Sequence, residues 1–233
     1  MRRIDLHVRK GETMAVMGMS GAGKSTLLKC VGGLLRPTGG EMLVEGVDIA
    51  RMKEGDLDKI RGRIGMVFQY AALFDSLNVY ENVAFGLRRH TRKTEDEIGE
   101  MVCQRLSMVG LAGTEKKMPS ELSGGMQKRV GLARALAMNP DIVLYDEPTS
   151  GLDPITAAAI AELIIKTRDE LGVTSVLVSH DIPSITRVAS RIAMIHRGRI
   201  IASGTVEEME LCEDATVRQF MKGETEGPIR ITQ

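Results

Sequence analysis

An excess of charge of either sign is missing from this chain, because its 31 basic residues balance 31 acidic ones. No overall field therefore draws the protein to nucleic acid or to an anionic membrane surface, and any anion must be bound locally. Cysteine is scarce as well: Cys30, Cys103 and Cys212 lie far apart, without a Cys-x-x-Cys pair. This pattern predicts buried, reduced thiols in a cytosolic protein rather than a disulfide framework or a metal site.

The chain also lacks a long apolar run. Its longest mostly apolar stretch, "ITAAAIAELII", contains Glu162 and is too short to span a bilayer. The first residues have no signal-peptide pattern. If the protein serves a membrane, we expect it to do so through a partner. With 43% hydrophobic residues in 233, the chain has enough apolar side chains for a large core.

A glycine-rich stretch follows the short apolar run "TMAVMG". Gly18, Gly23, Lys24 and Ser25 match G-x-x-x-x-G-K-[ST], with a strand pattern before and a helix pattern after. Glycines let backbone N–H groups wrap phosphates, Lys24 can bridge the β- and γ-phosphates, and Ser25 can hold Mg²⁺. The alternative, a glycine-rich turn that happens to precede a lysine, does not account for the flanking strand and helix. The predicted nucleotide-binding residues here are Gly18, Ser20, Gly21, Ala22, Gly23, Lys24, Ser25 and Thr26.

Three further apolar runs each end in polar residues. "IGMVF" precedes Gln69, "DIVLY" precedes Asp146 and Glu147, and "VTSVLVS" precedes His180. Such runs are typical of buried parallel strands, and the helix patterns between them predict a wound α/β sheet. "IDLHV", near the start, alternates as a half-buried strand does. Because ligands bind beyond the carboxyl ends of parallel strands, we expect these polar residues to converge on the glycine-rich loop.

Convergence around a nucleoside triphosphate would give each polar residue a role. Asp146 suits the metal shell, and Glu147 can polarise a water aimed at the γ-phosphate. Gln69 can touch both metal and water, and His180 can hydrogen-bond the γ-phosphate. Taken singly, an Asp-Glu pair is usually a solvated pair, and a lone histidine after a strand is usually structural. Their shared position past successive strands favours the functional interpretation.

A second anion site is predicted at "LSGGMQKRVGLARAL", where a polar loop opens a helix. Ser123, Gly124 and Gly125 leave backbone N–H groups at the helix N-terminus, where the macrodipole favours negative charge. Another helix follows "DEPTSGLDP", with Asp153 as N-cap, Pro154 at its first position and Gly172 just past its end.

In the order of its motifs the sequence resembles the nucleotide-binding domains of ATP-binding-cassette (ABC) proteins. The motifs are the P-loop "GMSGAGKST", the Q-loop Gln69, the signature "LSGGMQ", the Walker B run "IVLYDE", the D-loop "SGLD" and the switch His180. The resemblance implies an ATPase that uses ATP and Mg²⁺, with Ser25, Gln69 and Asp146 at the metal. It also implies two cassettes paired head to tail. Ser123, Gly124 and Gly125 of one would cap the γ-phosphate held by the other's P-loop, so a monomer should not hydrolyse ATP efficiently.

The family's fold is a P-loop cassette with a mostly parallel sheet, an antiparallel β subdomain and a helical subdomain. We therefore predict a single domain over 1–233, with a core formed by 1–69 and 121–212, a helical subdomain at 70–120 and a tail at 213–233. Family members usually carry a further strand ahead of "IDLHV", bearing an aromatic residue that stacks on adenine. Here no aromatic residue precedes Phe68. The expectation is a β subdomain with a truncated start, and how adenine is held stays open.

Sequence segments around these motifs resemble one branch of the family. "FQYAALFDSLNVYENVAFGLRRHT", "MPSELSGGM", "GLDPIT" and "VRQFMKGETEGPI" are similar to the ATPase subunits of Mla-type lipid transporters. That resemblance implies a subunit at the cytoplasmic face of the inner membrane, powering transport of phospholipids or related lipids with an integral membrane permease and an MCE-type lipid-binding protein. The apolar residues 71–74 would face the permease or form core.

The tail has two interpretations. "ATVRQFMKGE" predicts a short helix ended by Gly223, followed by a polar segment that is either a frayed end or docked. The resemblance favours docking, with Phe220 and Ile229 on the partner cassette or on an accessory subunit.

A soluble ABC ATPase, such as an iron–sulfur assembly ATPase, or the ATPase of another ABC importer is the alternative function. A single cassette without a coiled-coil insertion argues against most soluble members that act on DNA or in translation.

Overall fold

The computed structural model describes residues 3–230, and its centre is a six-stranded sheet. The sheet contains β1 (Thr13–Met17), β4 (Ile64–Val67), β5 (Ile142–Asp146), β6 (Thr174–Ser179), β7 (Arg191–His196) and β8 (Arg199–Thr205). Their order is β4-β5-β6-β1-β7-β8. All neighbours run parallel except β7 and β8. A separate antiparallel pair consists of β2 (Leu43–Val44) and β3 (Val47–Asp48).

The helices cover both faces of the sheet. They are α1 (Lys24–Val31), α2 (Glu54–Arg61), α3 (Val79–His90), α4 (Glu95–Met108), α5 (Gly124–Leu136), α6 (Pro154–Leu171), α7 (Ile182–Val188), α8 (Val206–Glu210) and α9 (Ala215–Lys222). Side chains alternate along β1: Met14 and Val16 pack with α1, whereas Ala15 and Met17 pack into the larger core with α3 to α9. This wound, mostly parallel α/β sheet confirms the predicted fold class.

Strand register brings the polar strand ends together. Met17 lies opposite Ser179 in the β1–β6 pair, and Asp146 lies opposite Val178 in the β5–β6 pair. The residues just past β1, β5 and β6 therefore meet at one edge of the sheet, where α/β folds bind ligands.

Helix α6 forms as its sequence predicts. The Asp153 carboxylate accepts hydrogen bonds from the N–H groups of Ile155 and Thr156, and Gly172 ends the helix in the left-handed region at φ 64°. Helices α3 and α4 lie within the predicted helical subdomain, residues 70–120. The division of the chain into core, helical subdomain and tail remains a prediction.

The strand predicted at "IDLHV" is wrong. Residues 4–8 contain no strand, and nearby only Arg3 forms an isolated bridge, with Arg199. The alternating pattern does correspond to burial, since Ile4, Leu6 and Val8 pack partly buried against the core on the α1 side. A strand also needs a hydrogen-bonding neighbour, and no strand of the described range pairs with these residues.

The tail docks on its own chain. In α9 the buried Gln219 side chain accepts a hydrogen bond from the Ile229 N–H (2.7 Å) and donates one to the Ile229 carbonyl (3.1 Å). Ile229 packs into the main core. The predicted anchoring of Ile229 on another subunit is therefore wrong here, because one glutamine side chain satisfies both backbone groups of Ile229 within the chain. Phe220 is only partly buried, and residues 231–233 of the predicted tail lie outside the described range.

Candidate nucleotide site

The glycine-rich loop lies between β1 and α1, as predicted. Gly18 has φ 155°, and a Cβ atom there would lie 2.3 Å from the Ile195 carbonyl oxygen. Only glycine fits this close approach. The Lys24 ammonium donates to the carbonyls of Gly18 (2.8 Å) and Met19 (3.2 Å), so the loop curls around the lysine head. The loop has the open backbone and the central cation that a polyphosphate needs.

The two oxygen-bearing residues predicted for the metal are in contact. The Ser25 hydroxyl donates to the Asp146 carboxylate at 2.9 Å. Hydroxyl and carboxylate oxygens suit Mg²⁺, which takes one or two protein ligands and completes its shell with water and substrate phosphates. Within residues 3–230 no cluster of three or more His, Cys, Asp or Glu could hold a metal by itself. The donor set therefore fits a magnesium ion that arrives with a nucleotide.

Glu147 is buried at the end of β5 and has three polar neighbours around its carboxylate. The Ser179 hydroxyl donates to it at 3.1 Å, and His180 Nδ1 lies 2.9 Å away. The Lys24 ammonium forms an ion pair with the other carboxylate oxygen at 3.6 Å. Its backbone is left-handed, with φ 49°, a conformation that costs free energy in a non-glycine residue and clusters at functional sites.

A cleft of about 1450 Å³ joins these groups. Of the predicted site residues, it is lined by Ser20, Gly21, Gly23, Lys24, Ser25, Thr26, Gln69, Glu147 and His180. The lining residues do not include Gly18, Ala22 or Asp146. Asp146 nevertheless accepts a hydrogen bond from Ser25, which does line the cleft. The Gln69 amide reaches the hydroxyl of Ser150 in the D-loop at 3.5 Å. Four strand ends thus converge as the sequence predicts.

The signature residues do not join this cleft. Ser123, Gly124 and Gly125 are absent from its lining. The Ser123 hydroxyl caps its own helix by accepting a hydrogen bond from the Met126 N–H at 3.3 Å. Gly125 is buried against α6, where an added Cβ would lie 2.6 Å from the Thr156 methyl carbon. The exposed Ser123 and Gly124 face solvent at the start of α5.

Sequence reasoning missed a hydroxyl and carboxylate network behind Glu147. The Asp181 N–H donates to the Ser179 hydroxyl at 3.1 Å, and the Thr149 hydroxyl donates to the Asp181 carboxylate at 3.2 Å. These bonds connect the residue after the switch histidine to Thr149, which directly precedes the D-loop. Their only sequence signal is position, because Ser179 and Asp181 flank His180 and Thr149 lies two residues after Glu147.

Sequence reasoning also missed two cations on α5 that contact the backbone of a distant segment. Lys128 is buried and Arg134 is partly buried, and both donate hydrogen bonds to the segment that follows β4. Burial lowers the pKa of Lys128, an effect that the nearby Glu147 opposes, and burial also lowers the pKa of Arg134. The signal was present in Gly131, a helical glycine whose added Cβ would lie 3.4 Å from Ala71, since such a residue marks close approach.

The apolar residues 71–74 are divided between core and surface. Ala71 is buried, whereas Phe74 is 43% exposed and lies 4.8 Å, between ring centroids, from the equally exposed Phe85. The Arg134 guanidinium stands over the Phe74 ring. Tyr70 beside them is 83% exposed. The core interpretation is confirmed for Ala71, and the permease-facing interpretation stays a prediction for the exposed Phe74.

Comparison with protein families matches residues 1–150 to the ABC transporter family. The chain belongs to this family. It is an ABC ATPase, and ATP is its nucleotide, as the motifs predict.

The chain is 45% identical over 227 residues to the intermembrane phospholipid transport system ATP-binding protein MlaF of Haemophilus influenzae, covering 97% of this chain and 86% of that protein. It is 42% identical over 230 residues to a probable ribonucleotide transport ATP-binding protein, mkl, of Mycobacterium leprae, covering 99% and 66% of the two chains. Among solved structures, a dimeric ATP-binding cassette in a post-hydrolysis state, bound to ADP and Pi, has a TM-score of 0.81 and 36% identity, covering 87% of this chain and 89% of that one.

None of the helices within residues 3–230 combines the length and the apolar character that crossing a membrane requires.

Proposed function

We propose that this chain is the ATP-hydrolysing subunit of a transporter that moves phospholipid or a related lipid between bacterial membranes. The observation that carries the proposal is the 45% identity to the MlaF protein over nearly the whole chain. A site with the P-loop, Ser25, Asp146 and Glu147 in contact supports the chemistry that drives such transport. The iron–sulfur assembly alternative is not favoured by these relatives.

The side chains suggest how the site works. The P-loop N–H groups and Lys24 would bind the phosphates, and Ser25 and Asp146 would hold Mg²⁺, which when bound would neutralise charge on the phosphates. Glu147 accepts the proton of the attacking water as general base. His180, whose Nδ1 lies 2.9 Å from the Glu147 carboxylate, would contact the γ-phosphate, and Gln69 would reach both metal and water.

The complete site is proposed to need a second copy of the chain. Ser123 and Gly124 lie at a helix N-terminus that favours anions, yet they do not line the cleft of their own chain. A head-to-tail dimer would bring them to the γ-phosphate held by the partner's P-loop. The dimeric state of the similar solved cassette supports this arrangement.

A separate integral membrane permease is the proposed transport partner, with an MCE-type lipid-binding protein beyond it. The exposed aromatic residues Tyr70, Phe74 and Phe85 support a docking surface beside Gln69, because large apolar side chains in one exposed patch mark interaction sites. Docking there would place the chain at the cytoplasmic face of the inner membrane. We propose no nucleic-acid partner, because the basic and acidic residues of the chain balance.

Ribonucleotides are the second candidate cargo, because the mycobacterial relative carries that name at 42% identity. The lipid proposal is preferred on the higher identity and on the larger share of the relative that this chain covers.

The proposal is tested by purifying the tagged full chain from its source membranes in mild detergent. We expect a hydrophobic multi-span protein to co-purify, and a lipid extract of the complex to be enriched in phospholipid over a detergent blank. Phe74→Asp with Phe85→Asp should abolish co-purification while ATP binding persists. Leu211→Asp, at a side chain that is 81% exposed, is the matched control and should co-purify normally. Recovery of soluble partners alone would refute the proposal.

A further inference from the structure

Helix α5 holds the backbone of the segment after β4 through two cationic side chains. Lys128 Nζ donates to the Gln69 carbonyl, and Arg134 donates to the carbonyls of Ala71 and Ala72, both at 2.7 Å. Lys128 is 7% exposed. Between the two cations, Gly131 lets the helix approach this segment closely. The Q-loop, defined here as residues 69–72, therefore lies against the body of the signature helix.

Lys128 reaches a second element that Arg134 does not. Its ammonium also donates to the carbonyl of Glu147 at 3.3 Å. That carbonyl accepts a further hydrogen bond from the Ser150 N–H at 3.2 Å. One buried ammonium thus connects the first residue of the Q-loop with the residue that carries the proposed general base.

The backbone that Lys128 connects is unusual on both sides. Glu147 has φ 49°, and Ala71 and Ala72 of the Q-loop have φ 57° and 49°. Non-glycine residues keep such conformations only where their surroundings over-determine them. An ammonium with three donors can fix two carbonyl groups at once, whereas an apolar side chain of the same length can only fill the space.

We propose that Lys128 is a positioning residue that holds Gln69 and Glu147 in register with each other across the nucleotide cleft. The inference rests on the proposed roles of Gln69 at the metal and Glu147 at the attacking water. Lys128 acts from beneath, because it is not among the residues that line the cleft. Lys128 also lies in the first turns of α5, the helix that begins with the signature residues. A shift of α5 would therefore move the backbone of Gln69 and of Glu147 together.

The first test measures backbone protection in the full chain without nucleotide. Lys128→Met keeps the length of the side chain and removes its donors, whereas Lys128→Gln keeps two donors. In hydrogen–deuterium exchange, Lys128→Met should raise the exchange rates of amides in both 69–72 and 147–150, and Lys128→Gln should raise them less. The matched control is Arg129→Met, which removes the neighbouring cation and its bond to the Val109 carbonyl. It should leave both segments unchanged.

The second test separates catalysis from binding. Lys128→Met should lower kcat by about 10- to 100-fold, as expected for misplaced reacting groups, with the KM for ATP nearly unchanged. The Mg²⁺ concentration for half-maximal activity should rise by about 10-fold, as for loss of an outer-shell partner. Lys128→Gln should recover most of both values, and Arg129→Met should match the wild type.

Unchanged kcat and Mg²⁺ dependence in Lys128→Met would overturn the inference. It is equally overturned if activity falls only in step with the melting temperature, or if exchange increases over the whole chain. Glu147→Gln, measured in parallel, distinguishes failure of the proposed chemistry from failure of the positioning role of Lys128. If Glu147→Gln loses turnover while Lys128→Met does not, the proposed chemistry stands and the role of Lys128 fails.

Discussion

At the scale of single residues, the site is organised around one buried carboxylate. Glu147 contacts Lys24 from the P-loop, and Ser179 and His180 from the end of β6. Its carboxylate is therefore oriented by three residues from two other segments of the chain. A group held in this way loses little freedom when it meets a substrate, which is how positioned side chains gain catalytic effect.

Glu147→Gln should keep ATP binding and lose about 10²- to 10⁴-fold in turnover, because the amide preserves the shape of the side chain but cannot accept the proton. The variant should also accumulate as an ATP-bound dimer, detected by size-exclusion chromatography with bound nucleotide. Glu170→Gln, an exposed acid on α6 that pairs with Lys166, is the control. Steady-state hydrolysis at the wild-type rate would exclude Glu147 as the base.

At the scale of elements, the crossing of α5 and α6 fixes where the signature begins relative to the D-loop. Gly125 is the contact point, because an added Cβ would lie 2.6 Å from the Thr156 methyl carbon. Thr156 is itself held in the first turn of α6 by its bond to the Asp153 carboxylate. The N-termini of α5 and α6 therefore lie side by side on the surface proposed to meet the partner.

Gly125→Ala should destabilise the fold by about 1–3 kcal/mol through overpacking, despite alanine's better helix propensity. Adding Thr156→Ser removes the methyl group while a hydroxyl remains for Asp153, so the double variant should recover most of the loss. Urea unfolding of the wild type, the two single variants and the double variant gives the coupling free energy between the two substitutions. If the free energy of unfolding falls equally in Gly125→Ala and in the double variant, the contact with the Thr156 methyl group does not limit packing.

At the scale of the whole molecule, we expect one chain to supply two separate half-sites, the cleft and the signature residues. The cleft has the P-loop, Gln69, Glu147 and His180, whereas Ser123 and Gly124 lie outside its lining. Pairing two chains head to tail would complete both sites together. Association would then be coupled to nucleotide binding by ordinary linkage.

Mixing Ser123→Arg protein with Lys24→Ala protein should restore activity, although each variant alone is nearly inactive. Random pairing leaves about a quarter of the sites competent, because half of the dimers are mixed and each has one intact site. Mixing Lys24→Ala with the Ser123→Arg/Lys24→Ala double variant should restore none. Full activity in either single variant would contradict the shared site.

The sequence determined the elements and the side chains at their ends. The apolar runs before Gln69, Asp146 and His180 formed β4, β5 and β6, and the P-loop pattern lies between β1 and α1. These features are local: a strand or helix is specified by periodicity and end residues, and parallel strands bring their ends to one edge. The convergence of these strand ends on the P-loop could therefore be predicted without a structure, whereas the role of each residue there remains a prediction.

Only the tertiary structure decided which backbone groups find partners. Residues 4–8 alternate as a strand does but have no strand beside them in the described chain. The Lys128 ammonium is covered by the Q-loop, whose Gln69 carbonyl it contacts, and the Gln219 side chain holds Ile229 within its own chain. Each outcome depends on contacts that the local periodicity of the sequence does not specify. A single chain's pattern specifies which groups need partners, and packing alone selects the partner that satisfies them.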